Sequence, residues 1–359
     1  MGHMTLKVGD RLVGEGQPVF FIAEAGVNHN GSAELARKLV QVAAECRADA
    51  VKFQKRSIRD LLIAEYLLRP YNVPTSLGAT YGEHRERLEL SDVDYRELRA
   101  LCDQLGLIFL ASAWDQPSAD FLDNLGVVAY KVASADLTNL PLLEHIARKG
   151  RPMFISTGMS DLSEVAEAVE TVRRHNDQIV LMQCTSTYPA DNDKLNLRVM
   201  ETYRRAFGCL VGYSGHERGL APSEAAAALG ACVIERHFTL DRAMIGPDHA
   251  ASLEPEGLRK LIRNIRNIER ALGSAEKRVL EEERPVRTRL AKSIVARTDI
   301  PAGTVIGPEM LTVKGPGAGL APRYLPLLVG LIAGESVAAD TLLPTAALEW
   351  KRAPTAALR

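Results

Sequence analysis

Strand-length apolar segments rich in Val, Ile and Phe alternate with segments of helical periodicity along most of this chain. Eight of them lie near residues 19–24, 49–53, 107–112, 127–132, 152–156, 179–184, 209–213 and 231–236. Nearly continuous apolar strands separated by helices are typical of a buried parallel sheet, and eight such units can close a (β/α)8 TIM barrel. A doubly wound open sheet is the alternative architecture.

Each apolar segment ends in polar side chains of a few chemical types. They include Glu24, Lys52, Gln54, Ser112, Lys131, Ser134, Ser156, Ser186, Ser214, His216, Glu235 and His237. An open sheet concentrates ligand contacts at one switch point, whereas a barrel gathers the carboxyl ends of all its strands around one mouth. The distribution therefore favours the barrel, and it predicts an enzyme site for an anionic substrate and a metal.

Composition excludes several classes of partner. The 44 basic and 45 acidic residues leave a formal net charge of −1, so no overall field attracts nucleic acid or a membrane surface. No segment has the roughly 18 consecutive apolar residues of a membrane span. The five cysteines are scattered without a CxxC pair, which favours reduced thiols and a cytoplasmic location.

Composition also divides the chain. We expect a barrel over residues 1–278, a charged linker over 279–291, a small domain over 292–353 and a tail over 354–359 that is frayed after Trp350. The small domain consists of short strands interrupted by Gly and Pro, without the strand-helix alternation. Within the barrel, the connection from Lys55 to about Leu90 is unusually long, and its tyrosines and arginines favour a lid over the substrate rather than a slack loop.

Two histidines follow the seventh and eighth predicted strands. His216 lies two residues after Ser214, and His237 lies two residues after Glu235, so each pair faces one side of its strand. Neighbouring strands about 4.8 Å apart bring such imidazoles close enough to share one ion. Two imidazoles with water or substrate oxygens suit Mn²⁺, Fe²⁺, Zn²⁺ or a similar ion. A structural hydrogen bond made by each histidine is the alternative interpretation.

Lysines and hydroxyls predict an anion site beside the histidines. Lys52 and Lys131 lie at the ends of two strands. Ser112, Ser134, Ser156, Ser186 and Ser214 lie at or just after the ends of the same and neighbouring strands. Charge-assisted hydrogen bonds are about twice as strong as neutral ones, so this set suits a small, doubly anionic ligand such as a phosphorylated carboxylic acid. The lysines could instead pair only with Glu24, Glu235 or Asp136 and close the barrel, or one of them could form the Schiff base of an aldolase.

Carboxylates on the first and last strands are candidates for proton transfer. Strand one closes against strand eight in a barrel, so Glu24 neighbours Glu235, and close carboxylates have separated pKa values that can divide acid and base roles. A salt bridge to a lysine is the structural alternative. His29, Asp248 and His249 lie in Gly-rich loops after strands one and eight, and we interpret them as contacts at the rim of the site.

Eight motifs in this order identify a resemblance that covers nearly the whole chain. They are IAEAGVNHNG, VKFQK, YKVASAD, ISTGMS, QCTSTYP, GYSGHERG, ERHFTLD and GPDHAASLEP. The chain resembles the sialic acid synthases, which condense phosphoenolpyruvate with an N-acylmannosamine. Its last segment is similar to the antifreeze-like (SAF, β-clip type) domain of that family.

The resemblance implies a fold, partners and a role for each strand-end residue. It implies a TIM barrel followed by the SAF domain, a domain-swapped homodimer in the cytoplasm, and a divalent metal, Mn²⁺ with Mg²⁺ or Co²⁺ as alternatives. Phosphoenolpyruvate would be bound by Lys52, Ser112, Lys131, Ser134, Ser156, Ser186 and Ser214, the sugar by Gln54, Asp136, Tyr188 and Asp248, and the metal by His216 and His237. The catalytic groups would be Glu24, Lys52, Lys131, Glu235 and Asp248.

Departures from the family pattern leave the acceptor sugar open. Bacterial members usually carry Lys-Arg-Pro-Gly in the SAF domain, with the arginine on the acyl group, whereas this chain has Gly315 after Lys314. The insertion RPYNVPTSLGATYGEHRERLE is similar to the animal-type enzymes, which accept the 6-phosphorylated sugar; Arg69, Arg85 or Arg323 could bind such a phosphate. N-acetylmannosamine, its 6-phosphate, mannose or mannose 6-phosphate, and another nonulosonic acid precursor remain candidates, and a non-enzymatic carbohydrate-binding or ice-binding protein is the alternative from another class.

Overall fold

The computed structural model describes residues 4–354, which form two units. The first unit ends at Gly273 and the second begins at Ser274, slightly before the boundary at residue 278 that composition suggests. Among the described residues, no helix combines the length and the apolar character that crossing a bilayer requires.

A β-hairpin precedes the barrel, and the apolar pattern of the sequence did not predict it. Strand β1 (Thr5–Val8) pairs antiparallel with β2 (Arg11–Gly14). The inward side chains of Val8 and Val13 are fully buried in the same apolar cluster as Phe20 and Phe154 from the barrel strands. The hairpin therefore packs against the interior of the barrel near the amino ends of its strands.

The central sheet is a closed barrel of eight parallel strands, which confirms the TIM barrel prediction. The strands are β3 (Phe20–Gly26), β4 (Ala50–Lys55), β5 (Ile108–Ala113), β6 (Tyr130–Val132), β7 (Met153–Ser156), β8 (Ile179–Cys184), β9 (Leu210–Gly215) and β10 (Val233–His237). Strand β10 pairs with β3 and closes the circle, with His237 opposite Glu24. Because all strands run in the same direction, their polar carboxyl ends meet at one mouth.

Helices follow the barrel strands, and several of them begin or end at residues with clear capping chemistry. They are α1 (Ala33–Glu45), α2 (Ile58–Leu61), α3 (Ala64–Leu67), α4 (Tyr81–Arg87), α5 (Asp92–Leu105), α6 (Gln116–Leu125), α7 (Leu140–Ala147), α8 (Leu162–Arg173), α9 (Val199–Phe207), α10 (Ala221–Ala228) and α11 (Pro255–Leu272). Ser91 and Asp94 form a capping box at the start of α5, and Gly106 ends that helix in the left-handed conformation. These caps fix where each connection to the next strand begins.

The long connection after β4 is ordered. It contains the three short helices α2, α3 and α4. The rings of Tyr66, Tyr71 and Tyr81 cluster, with Tyr71 and Tyr81 centroids 5.1 Å apart, and His84 is buried beside them. The segment is therefore a folded cover with its own aromatic cluster, and its action as a lid stays a prediction.

A buried ion pair holds β10 to the loop and helix outside the barrel. Since Glu235 and His237 point into the barrel, Arg236 points outward, and it is the largest fully buried side chain of the described residues. Its guanidinium donates to Glu217 Oε1 at 2.7 Å and to Ser223 Oγ at 2.9 Å. Each polar group of this pair has a partner, so the network stabilises the barrel wall without an uncompensated charge.

We expect Glu217→Ala to lower the free energy of unfolding by about 3–5 kcal/mol, because the Arg236 guanidinium would stay buried without its counter-ion. Urea denaturation followed by circular dichroism measures the change. Arg205→Ala is the control: Arg205 pairs with Glu201 on the exposed face of α9, and its loss should change stability little. Equal midpoints for Glu217→Ala and the wild type would contradict this account.

The second unit is small and has its own apolar core. Its elements are α12 (Arg284–Leu290), β11 (Ser293–Ala296), β12 (Leu311–Lys314) and α13 (Leu325–Leu328). Helix α12 lies inside the segment 279–291 that composition marks as a linker. The apolar core of the second unit contains Ile294, Ile300, Ile306, Leu311, Leu328 and Leu343.

The prediction that the chain frays after Trp350 is wrong for the residues that follow it directly. The amide of Ile332 donates to the Lys351 carbonyl at 2.8 Å, and the amide of Ala353 donates to the Gly330 carbonyl at 2.9 Å. These backbone bonds fix the segment because they satisfy groups that the second unit would otherwise leave unpaired. Except for Pro354, the predicted tail 354–359 lies outside the described residues.

Candidate active site

A cavity of about 220 Å³ opens at the carboxyl ends of the barrel strands, and it gathers most of the predicted site residues. Those that line it are Glu24, Lys52, Gln54, Ser112, Lys131, Ser134, Ser156, Ser186, Tyr188, Ser214, His216, Glu235 and His237. They come from all eight strands or from the loops directly after them. We call this space the central cavity.

Two predicted sugar-binding residues lie in neighbouring cavities. Asp248 lines a cavity that shares Gln54, Tyr188 and His237 with the central one. Asp136 lines a third cavity, where burial raises the pKa of its carboxyl to about 6. The cavity of Asp136 shares Trp114 and Ala135 with the central one, so both carboxylates lie in spaces that adjoin the central cavity without lining it. Their binding roles stay predictions.

The interpretation of His29 and His249 as rim contacts is wrong. Both side chains are buried within their loops, with at most 1% exposure. His249 Nδ1 lies 2.7 Å from the hydroxyl of Thr239, and His29 Nδ1 accepts from the amide of Gly31 at 3.1 Å. These histidines hold the loops that carry the rim residues.

Two lysines share the carboxylates of the central cavity. Lys52 Nζ lies 2.7 Å from Glu24 Oε2 and 3.6 Å from Glu235 Oε1, and Lys131 Nζ lies 3.7 Å from the same Glu235 oxygen. Lys52 also donates to Ser112 Oγ at 2.8 Å, as Lys131 does to Ser156 Oγ at 2.7 Å. The lysines thus pair with Glu24 and Glu235, two of the carboxylates that the sequence offered as partners. Both lysine side chains are at most 3% exposed.

Burial and neighbouring charges give the carboxyl groups of Glu24 and Glu235 different pKa values. Burial raises the pKa of Glu24 to about 7, although the Lys52 ammonium opposes the shift. Burial would also raise the pKa of Glu235, but the ammonium groups of Lys131 and Lys52 outweigh it and lower that pKa below its ordinary value. At neutral pH, Glu24 can therefore exchange a proton while Glu235 stays ionised.

The two predicted metal ligands face each other across the last two strands. The rings of His216 and His237 have centroids 5.3 Å apart, and the ring of Tyr188 lies 4.1 Å from that of His216. His216 Nδ1 donates to the Thr185 carbonyl at 2.9 Å, which leaves its Nε2 lone pair free. His237 Nδ1 is buried without a hydrogen-bond partner and lies 3.7 Å from Asp248 Oδ2.

These histidines fit a divalent cation that takes its other ligands from elsewhere. Burial lowers the pKa of His237 well below its ordinary value, so this ring is a neutral ligand at physiological pH. Burial also disfavours the charged form of His216, but its contact with Cys184 outweighs that effect and raises its pKa. Over residues 4–354, no cluster of three or more His, Cys, Asp or Glu side chains could hold an ion. Solvent or substrate oxygens must complete the shell.

Five residues of the central cavity were not assigned from the sequence. They are Ala133 and Ala135, which flank Ser134, and the larger Trp114, Met159 and Cys184. Trp114 lies two residues after Ser112, and Cys184 two residues before Ser186, so the two-residue period that identified the serines also identifies these positions. Met159 lies on a turn after β7 with a φ of 62°, which strand periodicity does not describe.

Comparison with known proteins agrees with the fold. The NeuB family profile matches residues 39–277, and the SAF domain profile matches residues 291–349. The chain belongs to the NeuB family. The sequence-based resemblance to sialic acid synthases and the expectation of a C-terminal SAF domain are therefore confirmed.

Individual relatives extend over nearly the full chain. N-acetylneuraminate-9-phosphate synthase of Homo sapiens is 45% identical over 322 residues, which cover 89% of this chain and 90% of that protein. N,N'-diacetyllegionaminic acid synthase of Legionella pneumophila is 42% identical over 96% of this chain and 98% of its own. The crystal structure of N-acetylneuraminic acid synthetase from Leptospira borgpetersenii, in complex with citrate, superposes with a TM-score of 0.70 at 29% identity and covers 79% of this chain and 95% of that one.

Proposed function

We propose that this protein condenses phosphoenolpyruvate with an open-chain N-acylmannosamine-type sugar to give a nonulosonic acid and phosphate. As a member of the NeuB family it is a condensing transferase, and relatives named as synthases of such acids match it over most of its length. The observation that carries the proposal is the central cavity, where two buried lysines and several hydroxyls lie beside two facing imidazoles. The side of the cavity with the lysines suits an anionic donor, and the side with the imidazoles suits a carbonyl acceptor.

Phosphoenolpyruvate would occupy the lysine side of the cavity. Lys52 and Lys131 offer two positive charges within bonding distance of their serines, and their ammonium groups hold further N–H donors for carboxylate or phosphate oxygens. Ser134, Ser186 and Ser214 add hydroxyl donors on the wall formed by the following strands. In a buried cavity these charge-assisted bonds are stronger than in water, since little solvent screens them.

We expect Gly158→Ala to raise the KM for phosphoenolpyruvate about tenfold or more. A Cβ at this position would lie 2.2 Å from Ser186 Oγ and 2.9 Å from Ser134 Oγ, so both hydroxyls must turn away. A hydrogen bond of about 1.5 kcal/mol lost to the substrate corresponds to a factor of about ten. Gly257→Ala is the control, because its Cβ meets only ordinary contacts with Leu253. An unchanged KM in Gly158→Ala would remove these serines from the substrate site.

The proposed reaction forms one carbon-carbon bond and breaks one carbon-oxygen bond. C3 of phosphoenolpyruvate attacks the aldehyde carbon of the sugar, and the aldehyde oxygen gains a proton to become a hydroxyl. Water adds to C2 and loses one proton, so that C2 carries a hydroxyl beside the phosphate ester. The C2–O bond to phosphate then breaks, phosphate leaves with the electron pair and takes the remaining hydroxyl proton, and C2 becomes a ketone. Glu24 would deliver the proton to the aldehyde oxygen, and ionised Glu235 would stabilise positive charge at C2.

We propose a divalent metal held by His216 and His237, with Mn²⁺ as the first candidate and Mg²⁺ or Co²⁺ as alternatives. When bound, such an ion would polarise the aldehyde oxygen as a Lewis acid. The ring of Tyr188 covers the His216 ring, with centroids 4.1 Å apart, and would limit access of solvent to this position. Gln54 donates to Glu24 Oε1 at 3.0 Å and thereby orients the proposed proton donor toward the same part of the cavity.

Membership of the NeuB family does not identify the acceptor sugar. The 9-phosphate synthase of Homo sapiens and the legionaminic acid synthase of Legionella pneumophila are 45% and 42% identical to this chain, so overall similarity hardly separates the two kinds of acceptor. Gly315 leaves the position of the usual SAF-domain arginine without a charged side chain. The domain-swapped homodimer and the cytoplasmic location stay predictions.

Release of phosphate tests the proposal. Metal-free protein is incubated with phosphoenolpyruvate and, in parallel, with N-acetylmannosamine, its 6-phosphate, mannose or mannose 6-phosphate, each with and without Mn²⁺. We expect phosphate and a nonulosonic acid only when the metal and at least one of these sugars are present. Phosphate release that depends on no sugar would refute the proposed condensation.

A further inference from the structure

The loop after β8 contributes to both sides of the central cavity. We call residues 185–195 the β8 loop, and its side chains Ser186 and Tyr188 line the cavity. The backbone carbonyl of its first residue, Thr185, accepts from His216 Nδ1 at 2.9 Å. The path of the β8 loop therefore determines where one hydroxyl of the donor side and the ring of His216 lie.

Gln183 closes the β8 loop from outside the barrel wall. Met182 belongs to the apolar cluster inside the barrel and Cys184 lines the cavity, so Gln183 between them points outward. Its side chain is buried, and its Nε2 donates to the Leu195 carbonyl at 2.9 Å. Because Gln183 directly precedes the loop and Leu195 ends it, apart from Cys184, this bond holds the two ends together.

Tyr203 on α9 connects Gln183 to the next strand of the barrel. The Tyr203 hydroxyl lies 3.4 Å from Gln183 Oε1 and 3.0 Å from Thr157 Oγ1. Thr157 directly follows Ser156 at the end of β7, and its hydroxyl donates to the Met182 carbonyl at 3.0 Å. Each side-chain polar atom of this buried network has a partner, which is the condition under which such a network fixes one arrangement.

A second side chain holds the same end of the β8 loop. Thr185 Oγ1 donates to the Lys194 carbonyl at 3.0 Å, close to solvent. Side chains at positions 183 and 185 thus hold two consecutive carbonyls, those of Lys194 and Leu195. The bond from Gln183 is the stronger constraint, because its loss would leave the Leu195 carbonyl without its buried donor.

We infer that Gln183 is a positioning residue for the proposed condensation, and that it places the Ser186 hydroxyl and the ring of His216 by holding the β8 loop closed. The inference rests on the proposed function, which assigns the donor to the serines and the metal to His216. Outer-shell partners of a ligating histidine fix the orientation of its ring. Here the partner is the Thr185 carbonyl, and Gln183 holds the segment that carries it.

Binding measurements on Gln183→Met and Thr185→Val test this role. Methionine is unbranched and fills the space of glutamine without its amide hydrogen bonds, and valine removes only the Thr185 hydroxyl. We expect Gln183→Met to weaken Mn²⁺ binding about ten- to hundredfold, as loss of an outer-shell partner typically does, and phosphoenolpyruvate binding about tenfold. Thr185→Val should shift both affinities in the same direction by about two- to fivefold, since it loses one solvent-exposed bond.

The two affinities are measured separately, without turnover. Electron paramagnetic resonance of free Mn²⁺ gives the metal affinity, and calorimetry gives that for phosphoenolpyruvate. Gln178→Met is the matched control, because Gln178 precedes the opposite end of β8, where its Nε2 donates to the Gly150 carbonyl at 3.0 Å. We expect the affinities of this variant to equal those of the wild type.

A purely structural role gives a different result. A lower thermal midpoint in Gln183→Met with unchanged affinities for Mn²⁺ and phosphoenolpyruvate would overturn the inference. If Gln183→Met does not fold, Thr185→Val decides by the same criterion, and wild-type affinities in that variant overturn it. A wild-type protein that binds neither Mn²⁺ nor phosphoenolpyruvate refutes the proposed function instead, whereas wild-type binding that neither variant weakens refutes the positioning role alone.

Discussion

Lys131→Met should lower kcat/KM for phosphoenolpyruvate by about 10²–10³-fold. Lys131 is fully buried in the barrel, where its ammonium contacts Ser156 Oγ and the Val132 carbonyl and lies 3.7 Å from Glu235. Removal of one preorganised electrostatic donor typically costs this much because nothing else in a water-excluded site replaces it. Methionine has a similar length, so the cavity keeps its volume while it loses its charge.

The same substitution should leave the barrel folded. Glu235 would still lie 3.6 Å from Lys52, so its carboxylate keeps one buried counter-ion. Lys149→Met is the matched control, because Lys149 pairs with Asp120 on the outer helices and has no contact with the cavity. Wild-type turnover in folded Lys131→Met would contradict the assignment of phosphoenolpyruvate to this cavity.

Borohydride distinguishes the lysine chemistry that the sequence left open. A Schiff-base aldolase would be trapped covalently when substrate and borohydride are added together, because reduction of the imine makes its bond to the lysine permanent. Here both lysines form ion pairs with carboxylates. Glu235 and Glu24 outweigh burial and raise the pKa of Lys52, whereas burial lowers the pKa of Lys131, so Lys131 is the lysine for which the trapping experiment decides most. Because the proposed condensation forms no imine, we expect no trapped adduct at either lysine.

His216→Ala and His237→Ala should each reduce the metal-stimulated rate by about a thousandfold. Loss of one of two protein ligands should release the ion, and with it several kcal/mol of charge stabilisation in the transition state. Atomic emission of the purified variants, after dialysis against Mn²⁺, should show less bound metal than the wild type. Circular dichroism should show the same secondary structure, because both rings lie at the mouth of the barrel rather than among the core side chains.

The control for these variants is His175→Ala. His175 follows α8 and pairs with Glu144 on the surface, so its removal should change neither metal content nor rate. Full activity with undiminished metal in either cavity variant would show that the two imidazoles do not form the metal site. Loss of activity with unchanged metal content would instead place these histidines in contact with the sugar.

The barrel could be predicted from sequence because its strands leave a strong and repeated signal. A parallel strand buried on both faces is almost continuously apolar, and the polar residue that follows marks its carboxyl end. The two-residue period of a strand then predicts, from the sequence alone, that Glu235 and His237 point to the same side of their strand. Closure of β10 on β3 follows from the count of eight, and it places Glu24 and Glu235 around Lys52.

The remaining features depend on contacts that no local pattern records. The hairpin β1–β2 contains only two buried valines, which is too short a signal to distinguish from a loop. Asp136 follows β6 as Ser134 does, yet the turn between them directs it into a different cavity. Arg56 and Arg85 line the same cavity because the insertion between β4 and α5 folds back toward the barrel mouth, and the spacing of charges along the chain does not record this.

A crystal structure of the protein with phosphoenolpyruvate and Mn²⁺ is the most direct test of the central cavity. The account predicts phosphoenolpyruvate oxygens within hydrogen-bond distance of Nζ of both Lys52 and Lys131, and one anomalous manganese peak bound by His216 and His237. Phosphoenolpyruvate bound outside this cavity, or manganese bound without either imidazole, would contradict it.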